Sequence, residues 1–511
     1  MNRNAIISLR RDEEKRCAMG GTTPVNPEPR MLIDGALVEA TGGRTFANWN
    51  PATEEELGQV ADASAGDMDR AIAAARRAFD ETDWSTDRSF RRHCLEQLHE
   101  ALAAEREELR EQLILEVGCP RLLTFGPQLD APLDAAITYP AQLIDEFAWE
   151  TDLDDAPDFR GTRNSRRIVK EPVGVVGAIV PWNFPFEVSI NKLAQALATG
   201  NTVILKPAPD TPWNATLLGR IVAERTDLPP GVVNVVPSSD HLVGEQLTLS
   251  PQVDLISFTG STAVGKRIME KGAPTLKRLF LELGGKSATI VLDDADFGTA
   301  MMAGLAVCAH AGQGCAIPTR MLLPRSRHDE GVELLTTLLG GVPVGDPQQA
   351  DVLMGPLISE KQRNRVLGYI ERGVDEGATL ALGGGRPAGQ PRGWFVEPTL
   401  FTGVDNSMTI AQEEIFGPVL VVIPYEDDDD AVRIANDSRY GLGGAVISSS
   451  LDRALGVAGR VRTGTVSVNG GMIYGPDLPF GGYKDSGVGR QNGLPGFDQY
   501  LEVKSLAWPT G

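Results

Sequence analysis

Apolar and polar positions divide the chain into stretches of different period. Over about 67–116 the apolar residues recur at helical spacing, through AIAAARRAFD (71–80) and CLEQLHEALAAEREELREQLILEV (94–117), with Asp67 as the expected cap. Residues 151–167, TDLDDAPDFRGTRNSRR, are polar and broken by Pro and Gly; they read as a linker or exposed excursion. A regular alternation then begins. VGVVGAIV (173–180) is an apolar run of strand length between Pro172 and Pro181, and EVSINKLAQALATG (187–200) predicts a helix ending at Gly200. NTVILKP (201–207) predicts a strand. TPWNATLLGRIVAER (211–225) predicts a helix with Thr211 as N-cap and Pro212 at its first position. GVVNVVP (231–237), HLVGEQLTLS (241–250), VDLISFTG (253–260) and TAVGKRIMEKGA (262–273) continue the series as strand, helix, strand, helix. Strands alternating with helices at this spacing predict a parallel sheet covered on both faces.

A second mixed region follows Glu282. It holds strand-like WFVEPTLF (394–401) and VLVVIPY (419–425) and a Gly-rich stretch at 470–489. The acidic run EDDDD (426–430) reads as a solvated cap and first turn, where negative charge suits the helix dipole. No short-period repeat is present.

Composition narrows the function classes. A chain of 511 residues suggests about three domains, and no apolar run reaches the roughly 20 residues of a membrane span. The net charge of -21 argues against nucleic acid and anionic membranes as partners. The five cysteines (Cys17, Cys94, Cys119, Cys308, Cys315) are scattered without zinc spacing, so no metal is expected and a reduced, cytoplasmic protein is. Residues 1–30 lack the apolar region of a signal peptide and read as a flexible tail, with Met19 and Met31 as alternative starts.

FTGSTAVGK (258–266) puts Gly260 and Gly265 at a strand-to-helix turn, where backbone N–H groups can meet an anion. Taken alone, a tight turn that needs Gly explains it equally well. Five further stretches change that balance: PWNFP (181–185), LELGGK (281–286), GQGC (312–315), EEIFGPV (413–419) and PFGGYKDSG (479–487). Together with FTGS, in this order and spacing, they resemble the NAD(P)-dependent aldehyde dehydrogenase superfamily, from about residue 31 to 509.

The resemblance implies an α/β fold with a Rossmann-like cofactor domain (31–150 and 172–283), an α/β catalytic domain (284–480) and a small β oligomerisation element (151–171 and 497–511). The last two segments are expected to pair across a subunit interface. It implies a homodimer or homotetramer, and oxidation of an aldehyde to the acid. Cys315 matches the nucleophile, whose addition makes the carbonyl carbon a hydride donor and whose thioester is then hydrolysed. Cys308, seven residues earlier, is a packing residue by comparison. Asn183 matches the side-chain oxyanion donor, beside the Cys315 backbone N–H. Glu282 matches the base that activates water; an apolar setting (LFLELGG) raises such a carboxyl toward neutrality. Because members that pass the acyl group to coenzyme A lack this glutamate, hydrolysis is favoured. The intact Asn183, Glu282 and Cys315 argue against a catalytically retired binding protein.

By motif position, Lys206 and Glu414 match the residues that hold the two riboses, with Phe416 beside the nicotinamide. Ile179, Val180, Pro181, Trp182, Ala208, Pro209, Gly244, Phe258, Gly260, Ser261, Val264, Gly265, Leu283 and Gln362 match positions along the cofactor. Phe184, Val188, Asn191, Tyr474 and Phe480 match the substrate tunnel. Two departures stand out. Pro209 replaces a Glu that chelates the adenosine ribose in many NAD-specific members; NAD is expected, with NADP left open. Gln491, in GRQ, replaces a Glu that some members use in a proton relay with the lysine matching Lys192. Asn191 stands where several members carry a bulky aromatic, which suggests a wider or more polar tunnel for a larger aldehyde.

Overall fold

The computed structural model describes residues 24–510, so most of the tail expected over 1–30, with Cys17 and Met19, lies outside the described residues. The first sheet has eight strands in the order Gly487–Val488, Arg278–Glu282, Leu255–Thr259, Val175–Ile179, Thr202–Lys206, Val233–Val235, Met31–Ile33, Ala36–Val38. Its five central strands run parallel. The alternation read from the sequence is thus present, with strands trimmed to the residues that pair.

Successive residues of these strands enter different cores. Val176, Ala178, Val203 and Leu205 pack with Ile190, Leu193 and Leu197 of helix Pro185–Ala198 and with Leu217 and Ile221 of helix Trp213–Arg225. Val175, Ile204 and Ile256 pack on the opposite face with Met68, Ala71 and Ile72 of helix Ala65–Glu81 and Val243 and Leu247 of helix His241–Leu249. Both faces are covered, which is why the strands are continuously apolar. Each fully buried Val, Ile or Leu contributes about 1.5–3 kcal/mol.

The strand order reverses beside Val175–Ile179. The chain runs outward through Thr202–Lys206 and Val233–Val235, then returns to place Leu255–Thr259 on the other side. Such a reversal opens a crevice beyond the carboxyl ends of the strands. Residues 180–183, Lys206, Gly260 and Glu282 all sit at those ends.

A second sheet of seven strands orders Thr379–Leu382, Thr399–Thr402, Val419–Tyr425, Arg320–Pro324, Ala288–Val291, Gly444–Ile447 and Ser467–Val468. All but the first of these run parallel. The acidic run behaves as expected: the Asp427 side chain accepts the Asp430 N–H at 2.9 Å, and Asp428–Asp430 form the first turn of helix Asp428–Asn436.

Several local expectations need correction. Asp67 is not the cap of its helix. Ser64 is, and Asp67 is the third helical residue, closing a capping box by accepting the Ser64 N–H at 2.8 Å. The helix expected from 187 begins at Pro185, whose fixed φ suits a first turn. The helix expected from Thr211 begins at Trp213, and the Thr211 hydroxyl is buried without a partner. Its cap comes from far away in sequence: Glu116, in helix Arg106–Val117, accepts the N–H groups of Trp213 (3.0 Å) and Asn214 (2.9 Å).

The excursion at 151–167 is not a linker. Strands Glu150–Pro157 and Arg163–Pro172 form an antiparallel hairpin. The C-terminal strand Leu501–Pro509 pairs along Arg163–Pro172 within the same chain. The resulting three-stranded sheet leaves Leu153, Val503, Leu506 and Trp508 exposed.

Candidate active site

The cysteine segment is shaped by an unusual backbone. His310, Ala311 and Gly312 have φ of 48°, 51° and 73°, three consecutive left-handed residues after the helical turns that start at Met301. Ala and His rarely adopt this region. Gln313, fully buried, holds the turn: its amide donates to the His310 carbonyl (3.0 Å) and accepts the Ile358 N–H (2.9 Å). Burial pushes His310 down to about 4, so the imidazole is neutral at pH 7. Phe184 packs edge-on against it at 5.6 Å.

Cys315 follows this turn. Among the described residues four cysteines are free. Cys94, Cys119 and Cys308 are buried, whereas Cys315 is partly exposed. Burial pushes the Cys94 and Cys308 thiols up to about 12. Cys315 is also raised, by desolvation first and then by the neighbouring Glu282 carboxylate. Access and a proton acceptor alongside, rather than an acidic thiol, set it apart.

Glu282 ends strand Arg278–Glu282 and is 3 % exposed, with a buried Oε1 that no group bonds. Desolvation pushes its carboxyl up to about 7, against the pull of Cys315 and Lys192. The glycines after it permit close approach. A Cβ on Gly284 would lie 2.3 Å from Glu414 Oε2, and one on Gly285 2.4 Å from the Cys315 carbonyl. Glu414 accepts the Gly285 N–H at 3.0 Å.

Asn183 is bonded to the cysteine segment. Its side-chain amide donates to the Gln313 carbonyl at 2.9 Å, and its backbone carbonyl accepts the Gln128 amide at 2.8 Å. The side chain is therefore fixed against the cysteine segment.

The crevice beyond the strand ends gathers most of the other motif residues. Lys206 ends its strand nearly buried; Nζ donates to the Ser238 carbonyl at 3.2 Å, and Gly244 lies against its stem. Desolvation brings its ammonium down to about 8, while Asp210, Asp62 and Asp240 act to raise it. Pro209 follows with no acceptor side chain. Ser261 caps helix Thr262–Gly272, Leu283 fills the space that a Cβ on Gly265 would need, and Val264 is exposed. The Gly260 N–H is not free for an anion: it donates to the Glu282 carbonyl at 3.1 Å. Trp182 meets Phe416 edge-on at 5.3 Å, and Phe416, with φ of 62°, has its carbonyl held by the Gln362 amide at 2.8 Å. Ile179, Val180, Pro181, Ala208 and Phe258 complete this wall at the ends of their strands.

Of the five expected tunnel residues, Tyr474 and Phe480 meet edge-on at 5.1 Å, while Val188 belongs to the first core with Phe184 packed against it. Asn191 departs from the expectation. It is buried, and its amide donates to Asn492 Oδ1 at 2.6 Å, so it closes a buried polar contact rather than widening a channel. Sequence reasoning passed over Glu187, a carboxylate alone among the apolar residues of PFEVSI; that contrast was the available signal. Lys286 was also missed: its Nζ is buried without a partner, and desolvation brings it down to about 7. No cluster of metal-ligating side chains exists among the described residues, and no helix there is long and apolar enough to cross a membrane.

A doubly wound sheet with a partly exposed thiol and a buried carboxylate near its strand ends is the architecture of an α/β enzyme. Comparison with known proteins is specific. The aldehyde dehydrogenase family pattern matches residues 37–506. A 3-succinoylsemialdehyde-pyridine dehydrogenase of a Pseudomonas species is 44% identical over 479 residues, covering 93% of this chain and 98% of that one. Among solved structures, a Mycobacterium tuberculosis aldehyde dehydrogenase complexed with NAD+ superposes with TM-score 0.90 at 42% identity, over 96% of this chain and 99% of that one. A Pseudomonas syringae aldehyde dehydrogenase mutant complexed with NAD+ and octanal gives 0.89 at 40%, over 94% and 98%. The chain belongs to the aldehyde dehydrogenase family and is an oxidoreductase acting on aldehydes.

Proposed function

We propose that this enzyme oxidises an aldehyde to the free acid through a covalent intermediate on Cys315, with Glu282 activating the hydrolytic water. The observation that carries this is the pairing of the one partly exposed described cysteine with a buried, unpaired carboxylate oxygen beside it. Glu282 takes the thiol proton as sulfur adds to the carbonyl carbon. Asn183 and the Cys315 N–H donate to the oxyanion; losing one such donor raises the barrier by about 3 kcal/mol. After giving that proton up to solvent, Glu282 takes another from the water that attacks the thioester. Its presence favours hydrolysis over transfer to coenzyme A.

The crevice fits NAD. Among the described residues Lys206, nearly buried, is bonded only to a backbone carbonyl, and Glu414 lies close against Gly284. Lys206 and Glu414 would hold the two riboses, with Trp182 and Phe416 framing the nicotinamide and Gly244, Ser261, Val264, Gly265, Leu283 and Gln362 lining the remainder. When bound, NAD accepts the hydride from the carbonyl carbon. Asp62, Asp210 and Asp240 around Lys206 disfavour a 2′-phosphate, so NAD is preferred over NADP. The NAD complexes of the two structural relatives support this reading.

The first sheet with its helices is assigned to cofactor binding and the second to catalysis. The three-stranded sheet, with its exposed apolar side chains, is assigned to a homodimer or homotetramer in a reducing cytoplasm. Phe184, Val188, Tyr474 and Phe480 suit a medium-chain or aromatic aldehyde, in keeping with the substrates named for the two Pseudomonas proteins. An aldehyde panel followed at the NADH band with both cofactors tests the whole reading. The expected result is turnover rising from two-carbon to longer or aromatic aldehydes, faster with NAD, and abolished in Cys315→Ala. Full turnover in that variant overturns it.

A further inference from the structure

Helix Pro185–Ala198 starts beside the cysteine segment and carries a carboxylate in its first turn. The Phe184 ring, at the helix start, comes within 3.8 Å of the place a Cβ on Gly314 would take, next to Cys315. Glu187 is the third residue of the helix, so it stands about 5 Å along the axis from that contact. It is 8 % exposed, and its Oε1 accepts the Tyr474 hydroxyl and, at 3.3 Å, the Gln491 amide. Gln491 also donates to the Tyr474 oxygen at 2.5 Å. Phe480 and Gln491 exchange backbone hydrogen bonds of 2.7 and 2.6 Å, and the Phe480 ring meets Tyr474 edge-on. The carboxylate is thus held in place against two aromatic rings.

The other oxygen, Oε2, makes no hydrogen bond among the described residues. Unlike Glu282 Oε1 it is not sealed in, so the exposure that Glu187 keeps includes this atom. No ion pair reaches Glu187 among the described residues; Lys192, five residues on, gives its Nζ to Ser257 Oγ at 3.1 Å. A carboxylate nine-tenths buried with no cation beside it is costly. Anchoring Tyr474 and Gln491 takes one oxygen, which the neutral carbonyl of a glutamine would supply without that cost. The charge and the open oxygen have no task within the chain. Both suit a cation that arrives from outside and brings an N–H with it, and a net charge of -21 draws cations toward the protein.

We propose that Glu187 sets substrate specificity: its Oε2 accepts an N–H from a protonated amine carried by the aldehyde, so that the substrate class is aldehydes bearing an ammonium N–H. The proposal rests on the reading of Cys315 as nucleophile above and adds the second functional group of the substrate to it. The carbonyl carbon meets Cys315 while the ammonium lies against Glu187. Tyr474 and Phe480 offer ring surface to the chain between them and to the charge itself. The hydrogen bond is charge-assisted on both sides and supplies the buried carboxylate with its missing counter-charge. A quaternary ammonium has the same charge and no N–H, and it leaves Oε2 unbonded.

The test uses the full chain with NAD and terminal dimethylamino aldehydes of increasing length, which are protonated at neutral pH and form no imines. Each is compared with its uncharged carbon isostere, as dimethylaminobutanal with methylhexanal, and with the trimethylammonio aldehyde of the same length. At the best length, kcat/KM for the dimethylamino aldehyde should exceed that for each of the other two by about tenfold or more, the size of one hydrogen bond to a charged group. Glu187→Gln should bring the ratio to the isostere within about threefold of unity. No preference for the dimethylamino aldehyde at any length overturns the proposal. So does a preference that survives in Glu187→Gln, which gives the amine to another acceptor, and so does equal use of the trimethylammonio aldehyde, which gives the charge to the rings. If Glu187→Gln folds poorly, inhibition of the parent decides. Dimethylpentylammonium should compete with methylhexanal about tenfold more tightly than trimethylpentylammonium, and equal inhibition overturns the proposal. Cys315→Ala is assayed alongside. Activity surviving there fails the thiol reading itself; methylhexanal turnover that is lost there and not bettered by the amine in the parent fails the ammonium site alone.

Discussion

At the scale of single residues, the site depends on which groups are kept from water. Desolvation raises the Glu282 carboxyl to about 7, and in the proposed role of base it acts only when deprotonated. Acid release should therefore fall as pH drops below about 7 and level off above it, measured as the single-turnover rate of thioester loss. Glu282→Gln should form the acyl-enzyme more slowly, because the thiol loses its proton acceptor, and then fail to release it. Mass spectrometry of the quenched protein should show the acyl adduct on Cys315, and steady turnover should fall by about 10²-fold or more. Normal turnover would assign the base elsewhere. Cys308→Ala tests only packing, because that thiol is buried against the second core; it should leave turnover intact. The motif residues Asn183, Glu282 and Cys315 were legible because chemistry dictates residue type. Glu187 was not, because a lone acidic letter in a helix does not say whether its side chain meets solvent or core.

At the scale of elements, long-range capping links parts that sequence order separates. Glu116 accepts from Trp213 N, Asn214 N, Asn214 Nδ2 and Asn48 Nδ2, each at 2.9–3.0 Å, in a fully buried setting. Glu116→Ala leaves four donors without their acceptor, and an unsatisfied buried donor costs about 1–3 kcal/mol. We expect a loss of at least about 3 kcal/mol in urea unfolding, with little change in activity of the protein that remains folded. A loss under about 1 kcal/mol would show that water replaces the carboxylate. The strands and helices of the first sheet were legible because burial on both faces imposes apolar runs of fixed length. The cap of helix Trp213–Arg225 was not, since Thr211 satisfies the local rule while a carboxylate almost a hundred residues away does the capping. The hairpin at 150–172 hid for a similar reason: its side chains are mostly polar, so pairing rather than periodicity defines it.

For the whole molecule, the C-terminal strand Leu501–Pro509 serves as one edge of the three-stranded sheet, with apolar side chains turned outward. Deleting residues 501–511 should lower the oligomeric state, read by light scattering, because it removes that edge together with Val503, Leu506 and Trp508. An unchanged mass would place the subunit contact elsewhere. The last part of the chain has a second task. Strand Gly487–Val488 pairs with the end of Arg278–Glu282, and the Leu283 N–H donates to the Ser486 carbonyl at 3.0 Å. This stitch is made by residues synthesised long after the strand they complete. Until Gly487 has emerged, the strand bearing Glu282 keeps a bare edge, and bare edges invite pairing with other chains. A message broken short of that codon would therefore yield protein with Asn183, Glu282 and Cys315 all present and a sticky, unfinished wall beside Glu282. For this enzyme, completing translation is itself a step in building the active site.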